Sequence, residues 1–393
     1  MRVLVLHNQY QYRGGEDTVF VSEIELLRKY GNSVRSLVFS NDSIVEISGK
    51  MKYGIRSFYN SKSAKLLEKE IRRFSPEIIH VHNFFPIASP SVFFIANRFK
   101  IPVILTLHNY RLLCPNAMFF RNGVVCEKCI DKTFPIDGVV NGCYRNSKIQ
   151  TFSLATMVWV HKLAGTWNKR IDKFIVLTKF AKNKFINSSL TLPNSKICIK
   201  SNFVSDNGFV FDKENYFLFV GRLSEEKGID ILMNAFKDSK NKLEIVGDGP
   251  LENEVRTFSE NFHNVTFHGF QKKDFIYNKL KKAKALIFTS KLYEGMPMTI
   301  IEAFSVGTPV ISGNIGGPGE IVKDSYNGLL YEVGNFMDLK NKINWLNEHP
   351  LEVMDMNENA RREYESHYSE EENYKQLKRI YKDAINEKKE SIK

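Results

Sequence analysis

The sequence predicts an α/β fold: two Rossmann-like, doubly wound parallel-sheet domains facing across a cleft. Three observations carry that prediction. Short β-branched runs alternate with helix-period segments, the pattern of βαβ units. The alternation breaks once, at residues 201–215, where Ser, Asn, Asp and Gly cluster, and then restarts. The length of 393 residues also exceeds what a single domain usually occupies.

Taken in order, residues 3–6 form the first strand candidate. Residues 19–27 follow with Phe20, Ile24 and Leu27 on one helical face. Further strands are predicted at 34–39, 78–81, 103–107 and 171–177, and Cys198 reads as a strand residue in the core. After the break, strands are predicted at 216–220, 243–246, 265–268, 285–289, 309–311 and 328–331. The last segment places Tyr374, Leu377, Tyr381 and Ile385 on one face of a helix, which must pack on something, with the first domain as the expected support. The boundaries are therefore 1–203, 204–370 and a terminal helix over 371–393.

Composition narrows the class. At 43% hydrophobic and 25% charged the chain is globular, with no collagenous or low-complexity tract. A net charge of +12 suits nucleic acid, an anionic membrane surface or a nucleotide diphosphate. The first apolar run is too short for a secretory signal. Residues 149–160, an uncharged and largely apolar stretch, fall short of the ~20 apolar residues of a membrane span. A cytoplasmic protein, peripheral to a membrane at most, is expected.

Ligands of doubly wound sheets bind beyond the carboxyl ends of the strands, so the residues that follow each strand matter most. Gly221-Arg222-Leu223-Ser224-Glu225-Glu226-Lys227-Gly228 follows one, and its two cations suit a diphosphate. A solvated basic loop is the plainer reading of the same residues. Gly247-Asp248-Gly249-Pro250 is either a ligand loop or an ordinary turn. His268-Gly269-Phe270 could line a base pocket through its backbone. The strongest stretch is Tyr293-Glu294-Gly295-Met296-Pro297-Met298-Thr299-Ile300-Ile301-Glu302. Pro297 suits a helix entry, leaving the N–H groups of Met298, Thr299 and Ile300 for an anion. Glu294 then sits on the loop and Glu302 in an early turn, both placed to accept hydrogen bonds from hydroxyls. A hydrolytic acid/base pair would need both carboxylates flanking one bond, which this offset across a helix start disfavours.

The run from Tyr293 to Gly307, with seven residues between Glu294 and Glu302, resembles the signature of glycosyltransferase family 4. The similarity continues through the Gly221 and Gly247 loops and Gly316-Gly317-Pro318-Gly319-Glu320, ending near Asn327-Gly328-Leu329-Leu330. The resemblance implies the GT-B fold, with an acceptor domain followed by a nucleotide-sugar donor domain. It implies retention of anomeric configuration, a nucleotide diphosphate sugar as co-substrate and no catalytic metal; no Asp-X-Asp motif is present. Arg222, Lys227, Glu294 and His108 are the implied catalytic set. Gly15, Gly221, Gly247, Met298, Thr299, Ile300 and Glu302 are the implied donor-binding set.

In the first half, Arg13-Gly14-Gly15-Glu16 comes after the first strand and the segment from His7 to Tyr12. It corresponds to the family's glycine-rich loop, or is simply a turn before a helix. His108, after the strand at 103–107, resembles the family's donor-contacting histidine, and His82 is a candidate for positioning the acceptor. The leaving diphosphate is expected to take the acceptor's proton, so no nucleophilic side chain is required.

Cys114, Cys126, Cys129 and Cys143 are spaced C-x11-C-x2-C-x13-C, which fits a structural zinc site; reduced thiols in a loop are the alternative. The segment at 152–167, with Trp159 and Trp167, is either core or a surface helix touching lipid. Within the resemblance, residues 105–143 look like enzymes that assemble bacterial surface polysaccharides, and a lipid-linked saccharide is the preferred acceptor. Two other functions remain to be weighed. One is a nucleotide-sugar epimerase on a similar fold, which would release no nucleotide. The other is a nucleic-acid-binding protein, for which no aromatic-basic or helix-turn-helix pattern is evident. No G-x-G-x-x-G follows the first strand, which disfavours a dinucleotide oxidoreductase.

Overall fold

The computed structural model describes residues 1–9, 14–40 and 56–391. Arg13, with residues 10–12 before it, lies outside the described residues. The chain divides into two compact units. The first comprises Met1–Phe119, Glu127–Lys200 and Tyr374–Lys393; the second comprises Phe120–Cys126 and Ser201–Asn373.

The first unit is built on β1 (Arg2–Gln9), β2 (Ser33–Ser40), β3 (Ile78–Val81) and β4 (Val103–Thr106). After the short hairpin β5 (Phe120–Arg121) and β6 (Val124–Val125), counted with the second unit, come β7 (Lys173–Val176) and β8 (Ile197–Ile199). The sheet order is β2-β1-β3-β4-β7-β8, parallel throughout. Val3, Leu4, Val5 and Leu6 are all fully buried, because a parallel sheet covered on both faces needs unbroken apolar strands. The chain turns one way from β1 to β2 and the other way from β3 onward. The ends of β1 and β3 therefore form a topological switch point, where ligands of such sheets bind.

Helix Gly15–Lys29 buries Val19, Phe20, Glu23, Ile24, Leu26 and Leu27 against this sheet's unit. From Tyr374 onward, helix Glu370–Glu390 belongs to the same unit, with Leu377, Tyr381 and Ala384 fully buried. Tyr374 stacks on Tyr30 at 4.0 Å between ring centroids. Each such buried large side chain contributes about 1.5–3 kcal/mol through removal from water. Cys198 lies on the edge strand β8 and is only half-buried, with its neighbour Ile199 exposed, so the core placement predicted for it does not hold.

The second unit carries β9 (Phe217–Val220), β10 (Leu243–Val246), β11 (Val265–Phe267), β12 (Ala285–Phe288), β13 (Val310–Gly313) and β14 (Gly328–Tyr331). Its order is β11-β10-β9-β12-β13-β14, again all parallel. Counted from β9, this is the 3-2-1-4-5-6 arrangement of dinucleotide-binding sheets, with its switch point between β9 and β12. Phe217, Ile245, Ile287 and Ile311 from the strands pack with Leu232 and Phe236 from helix Ile229–Phe236. The loops leaving β9 and β12 consequently meet above a rigid core.

Candidate active site

In the second unit the structure brings together two of the residues predicted for the diphosphate and sugar, Lys227 and Glu294, at that switch point. Lys227 ends the short 3-10 turn Glu225–Lys227, and Gly228 follows in the left-handed region at φ +69°. A Cβ on Gly228 would stand 2.1 Å from the Thr289 carbonyl oxygen, so only glycine lets the two loops approach. The Thr289 hydroxyl donates to the Lys227 carbonyl at 2.7 Å, and the Lys291 N–H donates to the Glu226 carbonyl at 2.9 Å. With its backbone fixed in this way, Lys227 forms an ion pair with Glu294. The Ser290 hydroxyl donates to the same Glu294 oxygen at 3.0 Å, and the Gly317 N–H holds the Glu294 carbonyl at 3.1 Å.

Gly247 serves the same end differently. At φ +151°, a Cβ there would lie 1.8 Å from the Gly221 carbonyl oxygen, so the β9 and β10 loops touch backbone to backbone. Arg222 on that loop is exposed. Helix Met298–Ser305 starts at Met298 with Pro297 as its cap, so the first N–H groups, of Met298, Thr299 and Ile300, have no partner within the helix. Glu302 is half-buried on this helix. Burial pushes its carboxyl up, offset in part by Lys273 and by a hydrogen bond from the Tyr277 hydroxyl. His268 is bonded to Glu244 at 3.0 Å, and the Gly269 carbonyl accepts from the Gly247 N–H.

The first unit places His108 just beyond β4, half-buried at a recess of about 360 Å³ that Glu16, His82, Asn109 and Arg111 also line. Behind it runs a buried chain of polar groups. His108 and His82 meet at 3.0 Å through Nε2 and Nδ1, and His82 Nε2 reaches Glu23 Oε1 at 3.1 Å. Glu23 also faces His80 Nδ1 at 2.8 Å and Lys200 Nζ at 3.1 Å. The other His80 nitrogen bonds Thr106 at 2.7 Å, and Tyr381 bonds His80 Nδ1 at 2.8 Å.

Burial lowers the pKa of His82 to about 4 and holds that of His108 well below the usual histidine value, with His82 adding to the effect on His108. Burial acts to raise Glu23, but Lys200, His80 and His82 outweigh it and keep the carboxyl well below its usual range. Both His82 and His108 are thus neutral near pH 7, and the ionised Glu23 fixes the tautomers. Glu23 accepts from His82 Nε2–H, His82 Nδ1 accepts from His108 Nε2–H, and the Nδ1 lone pair of His108 remains as its acceptor. His82, expected at the acceptor, spends both ring nitrogens inside the unit.

Glu23, His80 and His82 hold ligand-type atoms within 4.8 Å of one another. They do not suit a metal, because the Lys200 ammonium already supplies the positive charge and every ring nitrogen of the two histidines has a protein partner. That trio is the only such group within 4.8 Å among the described residues; Cys114, Cys129 and Cys143 are still close enough to act on one another electrostatically. Cys114 and Cys129 are buried, Cys126 and Cys143 half-buried, and Cys126 is counted with the second unit. Burial pushes the Cys129 thiol up to about 11, and the Cys114 thiol donates to Asn116 Oδ1 at 3.0 Å.

Near the described start of the glycine loop, the Gly14 N–H donates to Asp17 at 2.8 Å, and Asp17 accepts from His7 at the same distance. Gly15 opens the helix. Sequence reading missed Asp17, Glu23, His80, Lys200 and Tyr381. One signal was present: Glu23 lies three residues after Phe20 and four after Val19, inside an apolar stripe where an acid needs a partner.

Residues 203–363 match the family model described as glycosyl transferases group 1. An uncharacterized glycosyltransferase of Methanocaldococcus jannaschii is 30% identical over 269 residues, 68% of this chain. The chain spans just under two thirds of that relative's length, 64%. A lipopolysaccharide 1,6-galactosyltransferase of Escherichia coli is 32% identical over 139 residues, covering 32% of this chain and 38% of that one. Among solved structures, Anabaena HepE in complex with UDP superposes with a TM-score of 0.70 at 17% identity, covering 98% of this chain and 100% of the other. The chain therefore has the GT-B fold, and its residues 203–363 are similar to the glycosyl transferases group 1 family.

Proposed function

We propose that the chain is a retaining glycosyltransferase that moves a sugar from a nucleotide diphosphate sugar to a saccharide acceptor. The observation that carries this reading is the Lys227–Glu294 pair, held at the switch point of the second unit by loops that only glycines allow to touch. In the proposed reaction the bond from the anomeric carbon to the diphosphate breaks and the acceptor oxygen takes its place on the same face. The departing phosphate oxygen receives the acceptor's proton. Lys227 and Arg222 neutralise the charge that develops on the diphosphate, with the N–H groups of Met298, Thr299 and Ile300 as further donors. Glu294 and Glu302 accept from hydroxyls of the sugar and ribose. Gly15 serves the donor through its backbone amide.

We assign His108 to the sugar as a neutral acceptor of a hydroxyl proton, and His82 to holding His108 in that tautomer. The E. coli relative, named for lipopolysaccharide, supports a place in bacterial surface-polysaccharide synthesis with a lipid-linked acceptor. A thermal-shift screen of nucleotide sugars, followed by nucleotide release with and without saccharide acceptors, tests the reading. A donor at 100 times its Kd stabilises the fold by about 2.7 kcal/mol. If no nucleotide sugar shifts the melting temperature, the proposal fails; conversion of the donor sugar without nucleotide release would favour an epimerase.

The spacing of Cys114, Cys126, Cys129 and Cys143 also supports a structural zinc, which would draw the sulfurs together as thiolates. Elemental analysis of freshly reduced protein is expected to find about one zinc per chain. Metal-free folded protein would end that proposal.

A further inference from the structure

Helix Lys148–Leu163 is apolar on two opposite faces. Its inner face, with Thr151, Leu154, Ala155, Met157 and His161, is buried in the first unit. The opposite face carries Ile149 at 83% exposure, Phe152 at 55%, Val160 at 39% and Leu163 at 63%. With Thr156 these residues are spaced three, four, four and three apart, which puts them on one stripe of a 3.6-residue helix. The Thr156 hydroxyl donates to the Phe152 carbonyl at 2.8 Å, so its polarity is satisfied within the helix. The packed helix Ile136–Val140 adds Ile136 and Val140, 49% and 59% exposed. Single exposed apolar residues are ordinary; a run of them across two adjoining helices marks an interaction surface.

Charge identifies the partner. From Gly138 to Ile171 the chain contains Arg145, Lys148, Lys162, Lys169 and Arg170 and not one Asp or Glu. Arg145, Lys148 and Lys169 are exposed. The short helix also carries Asp137, paired with Lys132, so the border is mostly cationic. Large apolar side chains bordered mostly by cations is the chemistry of a helix that lies in the headgroup region of an anionic bilayer. There the side chains enter the acyl boundary, and each nearby Lys or Arg adds about 1 kcal/mol from the surface potential.

We propose that this face docks the chain on an anionic membrane surface, with helix Lys148–Leu163 lying in the plane of the interface. The proposal is independent of the donor chemistry above and would place the protein beside any lipid-linked acceptor.

Vesicle flotation of the full chain tests it. Binding is expected to vesicles containing phosphatidylglycerol, to fall steeply between low and high salt, and to be weak on pure phosphatidylcholine. The triple variant Ile149→Ser, Phe152→Ser, Leu163→Ser should reduce that binding roughly tenfold or more, since it removes the inserted groups. Lys148→Glu should weaken it through charge alone. All these positions lie outside the proposed donor site, so the melting temperature of each free variant serves as the control for fold and is expected to be unchanged. No binding of the wild-type chain to anionic vesicles overturns the proposal, as does equal binding by the triple variant. A dimer in solution that the triple variant dissolves overturns it too, because a second copy would then cover the face. Loss of vesicle binding with the melting temperature intact supports it.

Discussion

Lys227→Ala is expected to lower turnover about 10²–10³-fold while changing apparent donor affinity far less, the loss seen when one preorganised group aimed at developing charge is removed. In the donor ground state the diphosphate charge is shared with the sugar ester; in the transition state it accumulates on the departing phosphate. A cation held beside that phosphate therefore binds the transition state better than the substrate, and its loss appears in kcat. The structure makes Lys227 a fixed group. Its carbonyl accepts the Thr289 hydroxyl, its ammonium pairs with Glu294, and Gly228 sets the turn directly after it. Fold stability should barely move, because a partly exposed ion pair contributes about 0–1 kcal/mol. Measured by nucleotide release under saturating donor, unchanged kcat in the variant would remove Lys227 from the phosphate site. A comparable fall in melting temperature would reassign it to structure.

The second unit was largely legible because its chemistry is local in sequence. Strands predicted at 243–246 and 328–331 are those observed, and others differ by a residue or two where side chains at a strand end look alike in or out of the ladder. Glu294, Pro297 and Glu302 are readable together because one loop and one helix start carry them. What stayed hidden was pairing across distance. Nothing in the sequence joins Lys227 to Glu294, 67 positions apart, or shows that Gly247 is needed to clear the Gly221 carbonyl. The first unit shows the same limit more strongly. His82 and His108 each stand after a strand and invite separate roles. Their shared tautomer depends on Glu23 from the first helix and on Lys200 from beyond β8, which only the sheet order brings together. The segment at 152–167 was ambiguous for a physical reason: it is apolar on both faces, so periodicity alone could not say which one is buried.

Glu23→Ala should cost about 3–5 kcal/mol of stability, the penalty for removing one partner of a buried ion pair. Glu23 and Lys200 are each almost fully buried, and the same carboxylate orients His80 and His82. Its loss strips Lys200 of this charge partner and releases the tautomers of His82 and His108, so catalysis would suffer as well as folding. The pH dependence of the intact protein separates the contributions. Glu23 has a depressed folded pKa, so its stabilisation is present above the unfolded value near 4.5 and disappears as pH falls through the lower folded value. His82 acts at higher pH. Its pKa falls from 6.5 unfolded to about 4 folded through burial, so below about 6.5 the unfolded chain binds the proton that the folded chain refuses. Stability must then decline as pH drops from 6.5 toward 4, by about 3 kcal/mol for this residue. His108 and His7, whose values burial also lowers, act in the same direction. Urea unfolding at pH 7, 5.5 and 4 should show this decline, with a shallower one in His82→Gln because the titrating group is gone. An equal slope in wild type and His82→Gln would show that the buried ring does not exclude its proton. A cost below about 1 kcal/mol for Glu23→Ala would show that the carboxylate does not hold the network together.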